Sequence, residues 1–199
     1  MGEKQYKIIT DLGAFSYHSA LELLGVAHSA WTRYTLYVEK RRRTLRLNST
    51  DIRFLEHPGL LGTKPFRKLG LRRVEYREKL PQTNGPERTL IEGFRRLTEV
   101  GGLQELVDSA SGFAVLDLEL LQEILLCYDI ANLWAAVGWF LECFRQTFHV
   151  TEDILNQMVQ HSSRAPQYLE RNRRDGVLAA RWNLMLPKEF VNLGEPDER

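Results

Sequence analysis

The sequence predicts an α+β fold, a mainly antiparallel sheet lobe followed by a helical lobe with a late strand returning to the sheet. Three observations carry this reading. Apolar residues alternate with polar ones between residues 34 and 76, recur at helical spacing from residue 86 to residue 158, and alternate again over residues 180–186. The expected organisation is a sheet lobe with a short leading helix over 1–85, a helical lobe with the returning strand over 86–193, and a disordered tail over 194–199.

Tyr17, Ala20, Leu21 and Leu24 recur at helical spacing. With Ser16 as N-cap and Gly25 as C-terminal stop they predict a two-turn helix. Tyr34, Leu36 and Val38 then alternate with Thr35, Tyr37 and Glu39, and Leu45 and Leu47 with Thr44 and Arg46, which predicts half-buried strands. Ile52 with Phe54 and Val74 with Tyr76 suggest two more, separated by turn chemistry at His57-Pro58-Gly59 and Gly62-Thr63-Lys64-Pro65. Residues 40–43 would form a hairpin turn, and the outward face of the sheet would carry Arg46, Arg53, Arg73 and Arg77.

Helical character begins after Asn84-Gly85. Pro86 suits a first helical position, and Glu87 lies in the first turn, where the helix dipole favours an anion. Leu90, Phe94 and Leu97 form the predicted buried stripe, and Gly101-Gly102 precedes a short helix through Leu103, Leu106 and Val107. Leu118, Leu121, Leu125 and Tyr128 mark the next helix. Leu133, Val137, Leu141 and Phe144, broadened by Trp134 and Trp139, mark a central one. Thr151 can cap a last helix through Ile154, Leu155 and Met158. Ala180, Trp182, Leu184 and Leu186 alternate as the returning strand, ended by Pro187.

The chain has 199 residues and a net charge of +1, which hides a segregation. Residues 33–96 carry 17 Lys/Arg against 7 Asp/Glu, a net of +10, and residues 97–161 carry 1 against 10, a net of −9. Such asymmetry serves an anionic partner of the basic half, or docking of the two halves on each other. Cys127 and Cys143 lie in apolar helical stretches without companions at zinc-site spacing, and the N-terminus is polar, so a cytoplasmic protein with reduced thiols is expected. The most apolar run, residues 130–144, falls short of the ~20 residues of a membrane span.

Four short blocks, in this order and spacing, bear a resemblance to a known family: residues 19–25 (SALELLG), residues 86–90 (PERTL), Gly101-Gly102-Leu103, and Arg181-Trp182-Asn183-Leu184. Together they resemble the C-terminal region of the AbiEi family, the antitoxin and transcriptional-regulator half of type IV toxin-antitoxin systems, over residues 17–186. The resemblance implies neutralisation of a toxin, commonly a nucleotidyltransferase-like protein of the same operon, and support for repression. A stable complex with the toxin is not part of the implication. Family members commonly carry an N-terminal winged helix that binds operator DNA, whereas here the family-like helix begins about sixteen residues from Met1, leaving no room for one. The expectation is either a separately expressed C-terminal domain or a short member lacking that module.

The candidate nucleic-acid or partner-binding residues are Lys40, Arg41, Arg42, Arg43 and Arg46, flanked by Trp31, Tyr34 and Tyr37, then Arg53, Arg73 and Arg77, and a second cluster of Arg171, Arg173 and Arg174 with Arg164 beside them. Cations beside aromatic faces can contact phosphates and stack on bases, although a charge run in a turn is also an ordinary solvated surface. No catalytic residue, metal or cofactor is expected. Asp51 with Glu75-Tyr76-Arg77 loosely imitates the carboxylates of a metal-dependent nuclease, with arginine where lysine is usual. A stand-alone nucleic-acid-binding protein or a dimerisation scaffold, with homo-oligomerisation, is the other alternative. Glu87 and Arg88 read as architecture, Glu87 at the helix start and Arg88 reaching back to the sheet to pair with an acid.

Overall fold

The computed structural model describes residues 13–40, 42–47, 49–170, 176–190 and 193. The chain is α+β and divides into two compact units, Met1–Tyr128 and Asp129–Arg199. The expected boundary after residue 85 is thereby moved to Tyr128, because the helix that starts at Pro86 is buried within the first unit. The expected tail at 194–199 lies outside the described residues. No helix among the described residues is long and apolar enough to cross a membrane.

The first unit is built on a six-stranded sheet in the order β3-β4-β2-β1-β6-β5. Its strands are β1 (Ala14–Phe15), β2 (Arg33–Val38), β3 (Leu45–Leu47), β4 (Thr50–Glu56), β5 (Leu71–Arg73) and β6 (Gln82–Asn84). The sheet is mixed. Three pairings are antiparallel, but β2 runs parallel to β4 with Leu36 opposite Phe54, and β1 runs parallel to β6 with Phe15 opposite Thr83. The expected hairpin at residues 40–43 is therefore corrected. A parallel pair needs a crossover, so the chain after β2 passes over to β3, which pairs with β4. Val74 and Tyr76 make no strand: β5 ends at Arg73, and Tyr76 forms one isolated bridge with Lys79.

β2 is buried on both faces, and its period-two pattern therefore does not mark a solvent side. Leu36 and Val38 join Phe15, Ile52 and Phe54 in an apolar cluster, with Tyr34 packed against it. The alternate residues, Thr35 and Tyr37, are also buried and meet helices: the Thr35 amide donates to Ser19 Oγ at 2.9 Å, and Tyr37 lies under Arg88. Helix α1 (His18–Leu23) follows β1 with Tyr17 at its start at a positive φ of 54°. Ser16 does not cap it. Its hydroxyl donates to the Thr35 carbonyl, tying β1 to β2.

Helix α2 (Pro86–Arg95) has Pro86 at its first position and Glu87 in its first turn, and residues 86–94 are buried all round. Helices α3 (Leu103–Ala110) and α4 (Leu118–Tyr128) pack against it.

The second unit contains helix α5 (Ala131–Cys143), buried over most of its girth, packed on α6 (Glu152–His161), whose Thr151 hydroxyl accepts from the Ile154 amide. The late strand is present as β9 (Leu184–Leu186). It lies between β7 (Gln167–Tyr168) and β8 (Val177–Ala179) in a three-stranded sheet of its own, and does not return to the first sheet. Residues Ala180–Trp182 form a 3-10 turn rather than the start of that strand, and Asn183 leaves it in the left-handed region, φ 48°. Trp182 is buried against Gly138 of α5, where a Cβ would come within 2.2 Å of the indole ring.

Candidate nucleic-acid interface

β4 ends at Glu56, and His57 sits immediately beyond it where the chain turns through Pro58 and Gly59. Two open clefts of the first unit share this histidine. One, about 880 Å³, is lined by Arg42, Arg43, Arg53, Arg96, Glu56 and His57. The other, about 680 Å³, carries Arg67, Lys68, Arg73 and Lys79 along a wall that includes Tyr37, Leu80 and Pro81.

The expected site residues separate into groups. Arg42 and Arg43 are exposed and lie in the first cleft, and among the described residues neither forms an ion pair. Lys40 is exposed in the bend that follows β2. Arg53 points toward the same cleft but is neutralised by Glu99, which is only 7% exposed, so it is a structural ion pair more than a free cation. Arg46 lies on β3 with its Nε 3.5 Å from Asp51 Oδ1. Arg73 belongs to the second cleft. Arg77 stands outside any strand in a left-handed turn, φ 48°, with its guanidinium 5.3 Å from the Tyr76 ring centroid. The expected outward row of four arginines is thus corrected: they do not share one face, because β5 ends before Arg77 and β5 lies at the opposite edge of the sheet from β3. Arg41, Arg171, Arg173 and Arg174 lie outside the described residues.

Asp51 is engaged by Arg46, and Glu75 is exposed outside the strands. Among the described residues no group of three or more His, Cys, Asp or Glu side chains could hold a metal ion.

Sequence reasoning missed Arg96, Arg67, Lys68, Lys79 and His57 as cleft residues. The only local signal was that Arg67 and Lys68 follow a turn-rich stretch. His57 read as part of a turn.

Beneath the clefts lies a buried polar network. Arg88 and Glu92, both 0% exposed, pair one helical turn apart with Nε donating to Oε1 at 2.8 Å. Glu92 also accepts from Tyr128 Oη at 2.9 Å and from Asn84 Nδ2 at 2.7 Å. Arg88 Nη1 donates to the carbonyls of Arg67 and Leu69, its Nη2 donates to His57 Nδ1 at 2.8 Å, and its guanidinium lies 5.4 Å from the Tyr37 ring centroid. Arg88 was expected to find its acid on the sheet. It finds it on its own helix, and reaches across to loop carbonyls and a histidine instead. Burial by itself would lower the Arg88 pKa, but the Glu92 carboxylate more than offsets it. Burial, followed by the Glu92 charge, pushes the hydroxyls of Tyr37 and Tyr128 well above the usual phenol range.

Because a guanidinium only donates, His57 Nδ1 must accept, which fixes the ring proton on Nε2. Burial and then the charges of Arg88 and Arg67 push its pKa down to about 3. The unfolded chain takes up this proton as the pH falls through ~6.5, whereas the folded chain resists until about 3. Stability from this group is complete above pH 6.5 and declines toward pH 3. Urea midpoints measured from pH 7 to pH 4 are expected to fall less steeply in His57→Gln than in the wild type. Solvent access to the ring keeps the difference in slope below the full ~1.4 kcal/mol per pH unit of one proton.

His18, immediately ahead of the 19–25 block, is also interior. His18 is 1% exposed and stacks on Trp31 at 4.3 Å, with its Nδ1 3.5 Å from Glu22 and its Nε2 3.4 Å from Glu105. Glu105 also accepts from the amides of His28 and Ser29. Burial raises its pKa, but hydrogen bonds from Ser29 and Ser109 overcome that and hold it below the usual range.

A solved structure, that of the RV2827C protein from Mycobacterium tuberculosis, is similar to this chain with a TM-score of 0.61 at 15% identity, over 91% of this chain and 65% of that one. The likeness is one of fold. This chain thus spans 65% of the length of that protein. No family model matches the chain, and no curated protein does.

Proposed function

We propose that this chain is an AbiEi-like antitoxin and transcriptional-regulator C-terminal domain, cytoplasmic, which counteracts a nucleotidyltransferase-like toxin by binding rather than catalysis. The observation that carries the reading is the cleft containing Arg42, Arg43 and Arg96, cations that form no ion pair among the described residues on a segment with a net charge of +10. The blocks that resemble the family supply its frame: the 19–25 block packs on β2 through Ser19, and the 86–90 block supplies the buried Arg88. Arginines free of carboxylate partners suit a phosphate backbone, and their contribution is electrostatic and sensitive to salt.

Growth rescue tests this directly, by co-expression with the toxin-like protein encoded beside the gene. The wild-type chain is expected to restore growth, and Arg42→Glu/Arg43→Glu to abolish that effect while remaining folded. Failure of the folded wild type to rescue refutes the antitoxin reading. Titration of DNA and RNA against salt separates the stand-alone nucleic-acid-binding alternative, since the double charge reversal is expected to reduce the salt slope by about 1 for each phosphate it leaves without a cation. Absence of any salt-sensitive retention would leave a dimerisation scaffold, visible as a concentration-dependent mass in solution.

A further inference from the structure

The second cleft, which shares His57 with the arginine cleft, has a different character. Among the described residues four cations, Arg67, Lys68, Arg73 and Lys79, share it with a single carboxylate, Glu39, which Arg67 already engages. Arg67 keeps a further donor, its Nε, buried and without a hydrogen-bond partner among the described residues. Leu80, 59% exposed, and Pro81 add an apolar wall. At about 680 Å³ the cleft falls within the ~300–1,000 Å³ of small-molecule sites.

His57 supplies the specific element. Its Nδ1 is held by a guanidinium that is itself fully buried, and the two nitrogens of an imidazole point away from each other. The Nε2–H therefore faces away from the buried Arg88, and among the described residues it has no partner. Stacking on Tyr37, with ring centroids 4.7 Å apart, fixes the ring plane. A neutral donor locked in one tautomer beside flexible cations is suited to an acceptor-only group carrying more than one oxygen.

We propose that this cleft binds a nucleotide-sized phosphomonoester, its terminal phosphate held by Arg73, Lys79 and the Nε2–H of His57 and its nucleoside resting on Leu80 and Pro81. The site is separate from the arginine cleft and does not depend on the antitoxin reading. Two sources share this chemistry, a free mononucleotide and the 5′-phosphorylated end of a nucleic acid.

Calorimetric titration of the full chain at low salt with 5′-AMP, adenosine and inorganic phosphate tests it. AMP is expected to bind saturably, adenosine not to bind in the same range, and phosphate to compete with AMP. Arg73→Ala/Lys79→Ala is expected to weaken AMP binding about tenfold or more, since it removes two charge-assisted hydrogen bonds to the phosphate. Lys64→Ala, a charge removed outside the cleft, should leave it unchanged. His57→Phe should weaken it as well, and because that variant also disturbs Arg88, the Arg73/Lys79 pair, which lies outside the buried network, is the deciding one. A second arm compares a 5′-phosphorylated with a 5′-hydroxyl oligothymidylate. Preference for the phosphorylated strand over AMP assigns the site to nucleic-acid ends, and the reverse assigns it to free nucleotides; both uphold the site. No saturable AMP binding by the folded chain, equal binding of adenosine, or equal weakening by Lys64→Ala would overturn it, whatever the outcome of growth rescue.

Discussion

Arg88→Met is expected to destabilise the first unit by ~3–5 kcal/mol, the cost of leaving a buried charge without its partner. Glu92 is 0% exposed, and without the guanidinium its carboxylate would retain, among the described residues, Tyr128 and Asn84 as donors. The carbonyls of Arg67 and Leu69 would be deprived of donors at the same time, and nothing would then fix the tautomer of His57. Chemical denaturation checks the magnitude. A double-mutant cycle with Glu92→Gln isolates the pair, and the double variant is expected to be more stable than the sum of the two single effects implies. Additive effects would mean that the two charges are not energetically coupled, despite their 2.8 Å separation.

Trp182→Ala should cost the second unit a similar ~3–5 kcal/mol, because a large buried aromatic is removed from a site that cannot collapse fully. The indole is 1% exposed, fills the groove left by Gly138, and donates Nε1–H to Glu142 Oε2 at 2.6 Å. Arg181 beside it forks to Glu142, Glu152 and Asn156, so the 3-10 turn is anchored to α5 and α6 from two adjacent residues. The reciprocal change, Gly138→Ala, asks the ring to move, since the added Cβ would lie 2.2 Å from it, and a destabilisation of about 1–3 kcal/mol is expected from overpacking. Thermal unfolding and tryptophan near-ultraviolet circular dichroism report both changes. Unchanged melting of Trp182→Ala would refute the account.

The parts of the fold legible in the sequence are those whose signal is local. Pro86 marked the first residue of α2, Thr151 the cap of α6, and Ile52 with Phe54 the core face of β4. Strand partners were not legible. Two-residue β1 and three-residue β6 carry no readable period, and the parallel pairing of β2 with β4 depends on interactions made elsewhere in the chain. Thr35 and Tyr37 read as solvent-facing because alternation cannot distinguish water from a covering helix. The run at residues 40–43 announced a basic surface, and Arg42 and Arg43 stand at the cleft. Arg96, forty residues or more away in sequence, joins them only through the fold, and Arg53 could not be discounted until its partner Glu99 was placed.

The parallel ladder between Phe15 and Thr83 has a temporal consequence. These residues are 68 apart in sequence, and the Thr83 hydroxyl closes the ladder by donating to the Phe15 carbonyl. On the ribosome, β1 must therefore wait, its edge unsatisfied, until β6 has emerged, and Arg88 follows only after that. The entropy of closing so long a loop is spent before the stabilising interactions form, which favours slow assembly and exposes the early strands to other chains. Synthesis rate and chaperone access, rather than final stability, would then set how much of this chain reaches its native state.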